Sequence, residues 1–157
     1  MRYGFKVISV DASENALKAT SDLAQKYRCA PLAIHEMKVD EDKLLEVVSG
    51  RQGSITCIYA RFFLHAITRK EQIAFFDTLQ RGLVDGDILA FEFRTTDDEI
   101  IKKEAKAHFR RYQTEKDVEA QLVSRGFKKR FSVEGRGMAK YKAEDAIVAR
   151  CIYQKGF

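Results

Sequence analysis

Short apolar runs alternate along this chain with stretches in which apolar residues recur every three or four positions. Phe5 to Val10 reads as a buried strand, since Val and Ile dominate and no charge follows Lys6. Ser13 to Tyr27 reads as a helix capped by Ser13, with Ala16, Leu17, Leu23, Ala24 and Tyr27 on one face. A strand over Pro31 to Met37 follows, then a helix over Asp40 to Ser49. That helix turns Leu44, Leu45, Val47 and Val48 inward and has Gly50 past its end. Ser54 to Phe62 is the third strand. Thr68 and Glu71 form a capping box for the next helix, which buries Ile73, Phe76, Leu79 and Leu83. After the turn "VDGD" comes a strand over Ile88 to Arg94. A charged helix is predicted over Asp97 to Tyr112, and another from Thr114 to before Gly126. Two strand-like segments close the chain, "FKKRFSVEG" and "AIVARCIYQ".

Strands that alternate with helices require a mostly parallel sheet with helices on both faces. Two final strands with no helix between them must pair antiparallel. The fold class is therefore α/β and Rossmann-like, ending in an antiparallel hairpin. At 157 residues one domain is the expectation.

Composition adds little. Hydrophobic residues are 45% and charged residues 32%, as in ordinary globular chains. No apolar run reaches the roughly 20 residues of a membrane helix, and the N-terminus lacks signal-peptide features. Cys29, Cys57 and Cys151 have no paired spacing and read as reduced, mostly buried thiols of a cytoplasmic protein. A net charge of +5 favours anionic partners, yet no basic stripe points to nucleic acid. The three histidines are too far apart in sequence for a metal pair, so no metal is expected.

Asp11 carries the first chemical signal. In an open parallel sheet, ligands bind beyond the carboxyl ends of the strands. An acid ending such a strand can accept both hydroxyls of a ribose through its two oxygens. The competing reading is that Asp11 helps to cap the helix that follows.

Further motifs carry a resemblance: "VISVDAS", "CIYARFFLHAI", "LVDGDILAFEFR", "HFRRY" and the closing hairpin. In this order the chain resembles a class I S-adenosylmethionine-dependent methyltransferase, from that family's second strand to its seventh. The family opens on a strand and a glycine-rich loop that wraps the methionine part of the cofactor. No G-x-G precedes Asp11, and ten residues leave no room for the roughly 30 of a strand, loop and helix. The resemblance therefore implies a member lacking its first strand and glycine loop. On that expectation the chain would be an incomplete gene product, a fragment, or a chain whose missing part is supplied by another copy or subunit. The strand ending at Val10 and the strand ending near Phe62 would then pair directly or leave an open edge, which invites homo-oligomers.

The resemblance implies S-adenosylmethionine as cofactor. Asp11 would take the ribose with Ala12 and Ser13 beside it, and Glu36 and Met37 would lie against adenine. Ala60, Arg61 and Phe62 would pass under the cofactor where the acceptor site begins. Arg61, Arg94, His108, Arg110, Arg111 and Tyr112 would bind a small substrate carrying carboxylate or phosphate. Glu92 and Arg94 alternate with Phe91 and Phe93 on a buried strand, where charges need partners. His65 and His108 are the candidate bases, since imidazole titrates in the useful range. Two rival readings stand beside methyl transfer: a catalytically inactive methyltransferase-like module, and a nicotinamide-dependent oxidoreductase.

Overall fold

A computed structural model of the chain describes residues 5–29, 33–39, 42–50, 53–104 and 109–156. The chain divides into two compact units, Met1–Leu44 and Leu45–Phe157.

The first unit holds strand β1 (Ile8–Asp11), helix α1 (Glu14–Lys26) and strand β2 (Ala33–Glu36). β1 and β2 pair in parallel, with Asp11 opposite Glu36. Asp11 thus belongs to the strand rather than following it, and Phe5, expected inside the strand, is exposed. Ser13 caps α1 as predicted, its hydroxyl accepting from the Ala16 N–H at 3.3 Å. Leu17 and Ala24 are buried, but Leu23 and Tyr27 are exposed. At about 100° per residue Leu23 stands some 120° round the helix from Leu17, so the apolar stripe is narrower than the apolar count suggests. Residues 31 and 32 of the predicted second strand lie outside the described residues, as do 40 and 41 at the start of the next helix.

Helix α2 (Asp42–Ser49) crosses into the second unit. There follow β3 (Cys57–Arg61), α3 (Arg69–Gly82), β4 (Ile88–Arg94), α4 (Glu115–Val123), β5 (Phe127–Gly135), β6 (Lys140–Tyr141), β7 (Glu144–Asp145) and β8 (Val148–Lys155). The main sheet has the order β3-β4-β8-β5. β3 and β4 are parallel, and β8 runs antiparallel to both β4 and β5, so β8 is the reversed strand. A two-rung ladder between β6 and β7 lies in the connection from β5 to β8.

α3 is capped by the predicted Thr68–Glu71 box. Its buried stripe is Gln72, Phe75, Phe76, Leu79 and Leu83, while Ile73 is exposed. Phe76 stacks on Phe91 of β4 with ring centroids 6.1 Å apart. Gln72 tolerates burial because it exchanges amide hydrogen bonds with Gln113, both at 3.0 Å. On the other sheet face the in-register residues Tyr59, Ile152 and Phe131 are exposed. The turn "VDGD" is held by buried Asp87, which accepts the Thr56 and Val84 N–H groups at 2.9 Å each.

The predicted helix over Asp97 to Tyr112 is not formed among the described residues. A single 3-10 turn, Thr96–Asp98, takes its place. The cause is Asp98, fully buried, whose side chain binds Arg94, Lys103 and the Ile147 N–H. Lys103 also returns to the Asp98 carbonyl, which an α-helix would need as an acceptor. Tertiary ion pairing outweighs the helical propensity of this polar stretch.

A Cβ on Gly82 would sit 2.8 Å from Val48 Cγ1, so α2 and α3 meet closely there. Gly82→Ala should lower stability by about 1–2 kcal/mol through overpacking. Urea unfolding checks this, and an unchanged midpoint would contradict it.

Candidate functional site

In the first unit the carboxyl ends of β1 and β2 place Asp11 beside Glu36, both exposed. Asp11 Oδ1 accepts the Ser13 N–H at 2.8 Å, so the acid does contribute to the helix start. A carboxylate has about four acceptor positions, and among the described residues Oδ2 makes no hydrogen bond. Capping and sugar binding are therefore compatible at this residue. Ala12 and Ser13 are exposed beside it, and Met37 is buried, its N–H bonded to the Asp11 carbonyl at 3.1 Å.

In the second unit the equivalent rim lies where β3 and β4 end. Arg61 on β3, Glu92 on β4 and Arg150 on β8 form one rung across three strands. Glu92 is buried and uses both oxygens. Oε1 accepts Arg61 Nε at 2.7 Å and Oε2 accepts Arg150 Nε at 2.5 Å. The hydrogen bond to Glu92 raises the Arg61 pKa further. The chain then bends at Phe62, whose φ of 54° is unusual for an aromatic residue. The Phe62 N–H bonds the Glu92 carbonyl at 2.7 Å. The Arg61 and Arg94 guanidinium carbons lie 5.0 and 5.6 Å from the Phe62 ring centre, and the His65 ring meets it edge-on at 5.5 Å. Ala60, just before Arg61, is half-buried.

Arg94 is committed differently. It pairs with Asp98 at 2.7 Å and with Glu144, and its side chain is only 12% exposed. Lys103 joins Asp98 at 2.7 Å and lies over the Tyr112 ring. The Glu104 N–H bonds Glu144 at 2.7 Å. This cluster fastens the segment after β4 to the β6–β7 ladder and to the entry of β8. Burial alone would raise the Asp98 and Glu144 pKa values. Hydrogen bonds from Lys103, Arg94 and the Ile147 N–H outweigh it at Asp98, and those from the Glu104 N–H and Arg94 outweigh it at Glu144. Both carboxyls thus sit below their ordinary values of 3.8 and 4.5.

Arg111 donates to Ile67 O, Leu64 O, Gln113 and Gln72. It ties down the loop after β3 and meets no carboxylate among the described residues. Burial, followed by the charge of Arg69, pushes its pKa down. Arg110 is half-buried. His65 is buried, and its Nδ1 accepts the Arg94 N–H at 3.3 Å, which assigns the neutral-ring proton to Nε2. His108, expected beside these residues, lies outside the described residues. Burial pushes the Cys151 thiol up to about 12, which makes it a poor nucleophile, while Cys57 is exposed rather than buried.

The sequence reading missed Arg150, Asp98, Lys103 and Glu144. Arg150 carried a signal: a charge inside the apolar run "VARCIY" needs a partner, and Glu92 on another buried strand needs one too. Among the described residues no group of three or more His, Cys, Asp or Glu is placed to hold a metal ion, and no helix is long and apolar enough to cross a membrane.

No protein-family model matches the chain, and no curated protein matches it. Solved structures do. The chain is similar to an S-adenosylmethionine-dependent methyltransferase from Methanosarcina mazei, with 12% identity and a TM-score of 0.73, over 99% of this chain and 84% of that one. It is similar to another from Anabaena variabilis, with 16% identity and a TM-score of 0.71, over 98% of this chain and 70% of that one. It also resembles magnesium protoporphyrin IX methyltransferase from Synechocystis, solved with bound S-adenosylmethionine. There identity is 13% and the TM-score 0.65, over 99% of this chain and 62% of that one. The chain has the class I S-adenosylmethionine-dependent methyltransferase fold, and its α/β architecture is Rossmann-like.

Since Asp98 and Glu144 titrate lower folded than unfolded, the stability they contribute is present above their ordinary pKa values and is lost as pH falls through the folded ones. Stability should decline from about pH 5 toward pH 2. Asp98→Asn should cost roughly 3 kcal/mol at pH 7 and flatten that decline. Unfolding free energies at several pH values decide the matter, and an acid limb equally steep in the variant would count against it.

Proposed function

We propose that this chain transfers a methyl group from S-adenosylmethionine to a small anionic acceptor. The observation that carries the reading is the reversed β8 between β4 and β5 in a sheet that otherwise runs parallel, in a chain with the fold of solved methyltransferases. A nicotinamide oxidoreductase has no need of that reversed strand.

In the first unit Asp11 would hold the ribose through Oδ2, with Ala12 and Ser13 alongside, and Glu36 and Met37 would meet the adenine. The fit rests on an exposed acid that keeps acceptor capacity at the carboxyl end of a parallel strand. In the second unit Ala60, Arg61 and Phe62 would line the methyl-donor side of the rim. Arg61, Arg110, Tyr112 and His108 are the proposed acceptor-binding set; Arg94 and Arg111, expected among them, instead spend donors on Asp98 and Glu144 and on Ile67, Leu64, Gln113 and Gln72. S-adenosylmethionine supplies an electrophilic methyl group on a sulfonium. The protein's task is then to align the acceptor for in-line attack. A base is required only where the acceptor still holds a proton. His65 and His108 are the proposed bases; His65 can accept one only by giving up its bond to the Arg94 N–H.

Isothermal titration tests the reading. S-adenosylmethionine should bind the chain, NAD should not, and Asp11→Ala should weaken binding about tenfold, the worth of one charged hydrogen bond. Absence of heat at millimolar S-adenosylmethionine would overturn it in favour of an inactive methyltransferase-like module.

A further inference from the structure

Four arginines near the rim of the second unit differ in how much of their hydrogen-bonding capacity is already spent. Arg94 meets two carboxylates and is nearly buried. Arg111 meets four protein oxygens. Arg61 spends only Nε, on Glu92; among the described residues neither of its Nη groups makes a hydrogen bond. Arg150 spends Nε on the same carboxylate and one Nη on the Met138 carbonyl at 2.6 Å. The two side chains remain 49% and 44% exposed.

One carboxylate between two guanidinium groups leaves a surplus positive charge on the rung. Register places both arginines on the same sheet face, one strand either side of Glu92, roughly 10 Å apart at the backbone. Anchoring at Nε fixes each planar fork while leaving terminal donors available, so little side-chain entropy remains to be lost when a ligand arrives. Planar N–H forks match the oxygens of carboxylate and phosphate groups.

We propose that Arg61 and Arg150, held by Glu92, form a paired oxyanion seat, and that the methyl acceptor is bound through a carboxylate or phosphoryl group at this seat. The acceptor role rests on the methyl-transfer reading above; the seat itself does not. Arg150 thereby joins the binding residues, Glu92 acts as a positioning residue, and Arg94 and Arg111 hold the surrounding loops.

The test follows the arginine Nε–H signals of the 15N-labelled chain by NMR. Arg61→Lys and Arg150→Lys assign the two signals, each deleting one while preserving charge. The chain is titrated with sodium acetate, sodium phosphate, acetamide and sodium chloride at matched ionic strength. Saturable shifts of both signals with acetate or with phosphate, absent with acetamide and chloride, are the expected result. Acetate as the stronger ligand assigns a carboxylate, and phosphate a phosphoryl group. Arg150→Gln should weaken the stronger anion about tenfold. Shifts no larger than those with chloride, in the wild-type chain, overturn the seat. S-adenosylmethionine binding measured on the same sample separates the two claims. Anion shifts without cofactor binding support the seat and count against methyl transfer, whereas cofactor binding without anion shifts overturns the seat alone.

Discussion

A buried carboxylate on a central strand must be neutralised where it stands, and Glu92 is neutralised from both sides at once. Its oxygens receive one Nε–H from β3 and one from β8. Desolvating such a group costs several kcal/mol, recovered only when the geometry of its partners is good. The parallel β3–β4 pair and the antiparallel β4–β8 pair provide that geometry, because register brings all three residues to one rung. The reversed strand is thus joined to the parallel pair by ionic hydrogen bonds as well as by its backbone ladder. Phe62 depends on the same acid indirectly: its N–H is bonded to the Glu92 carbonyl, and its ring lies under the arginine that Glu92 orients.

A second ionic cluster continues the pattern one step along β4. Arg94, two residues on from Glu92, turns to Asp98 and Glu144 instead of to neighbouring strands. Its task is to fasten connections: the 3-10 turn, the start of β8 and the short β6–β7 ladder. The contrast between the clusters has a functional meaning. An arginine held by two carboxylates and nearly buried offers a ligand little access, and two half-exposed arginines that share one carboxylate retain donors for one. The half-used arginines at the rim are the observation on which the proposed anion seat rests.

Much of this was legible in the sequence, because local rules and tertiary structure agree over most of the chain. Alternating apolar runs identified β3, β4, β5 and β8, and the Thr68–Glu71 pair located the start of α3 within a residue. Disagreements arise where a side chain answers to distant partners. Asp98 appears in sequence as one more polar residue of a charged helix. Its burial and its bond to the Ile147 N–H, 49 residues away, break that helix. Ile73 and Leu23 are apolar yet face outward, while Gln72 faces inward because another buried amide lies opposite. Arg61, Glu92 and Arg94 could be picked out as charges among apolar neighbours. Arg150 met the same criterion, but its meaning appears only when β8 is known to lie beside β4 rather than beside β5 alone. At Asp11 both sequence readings describe compatible uses of one carboxylate.

The central claim is that Glu92 joins three strands and sets the rim of the second unit, and Glu92→Gln tests it most directly. The substitution keeps size and one acceptor oxygen while removing the charge between two guanidinium groups. Urea unfolding at pH 7 should show a loss of roughly 3 kcal/mol. A loss within about 0.5 kcal/mol of zero, as for a surface ion pair, would contradict the account.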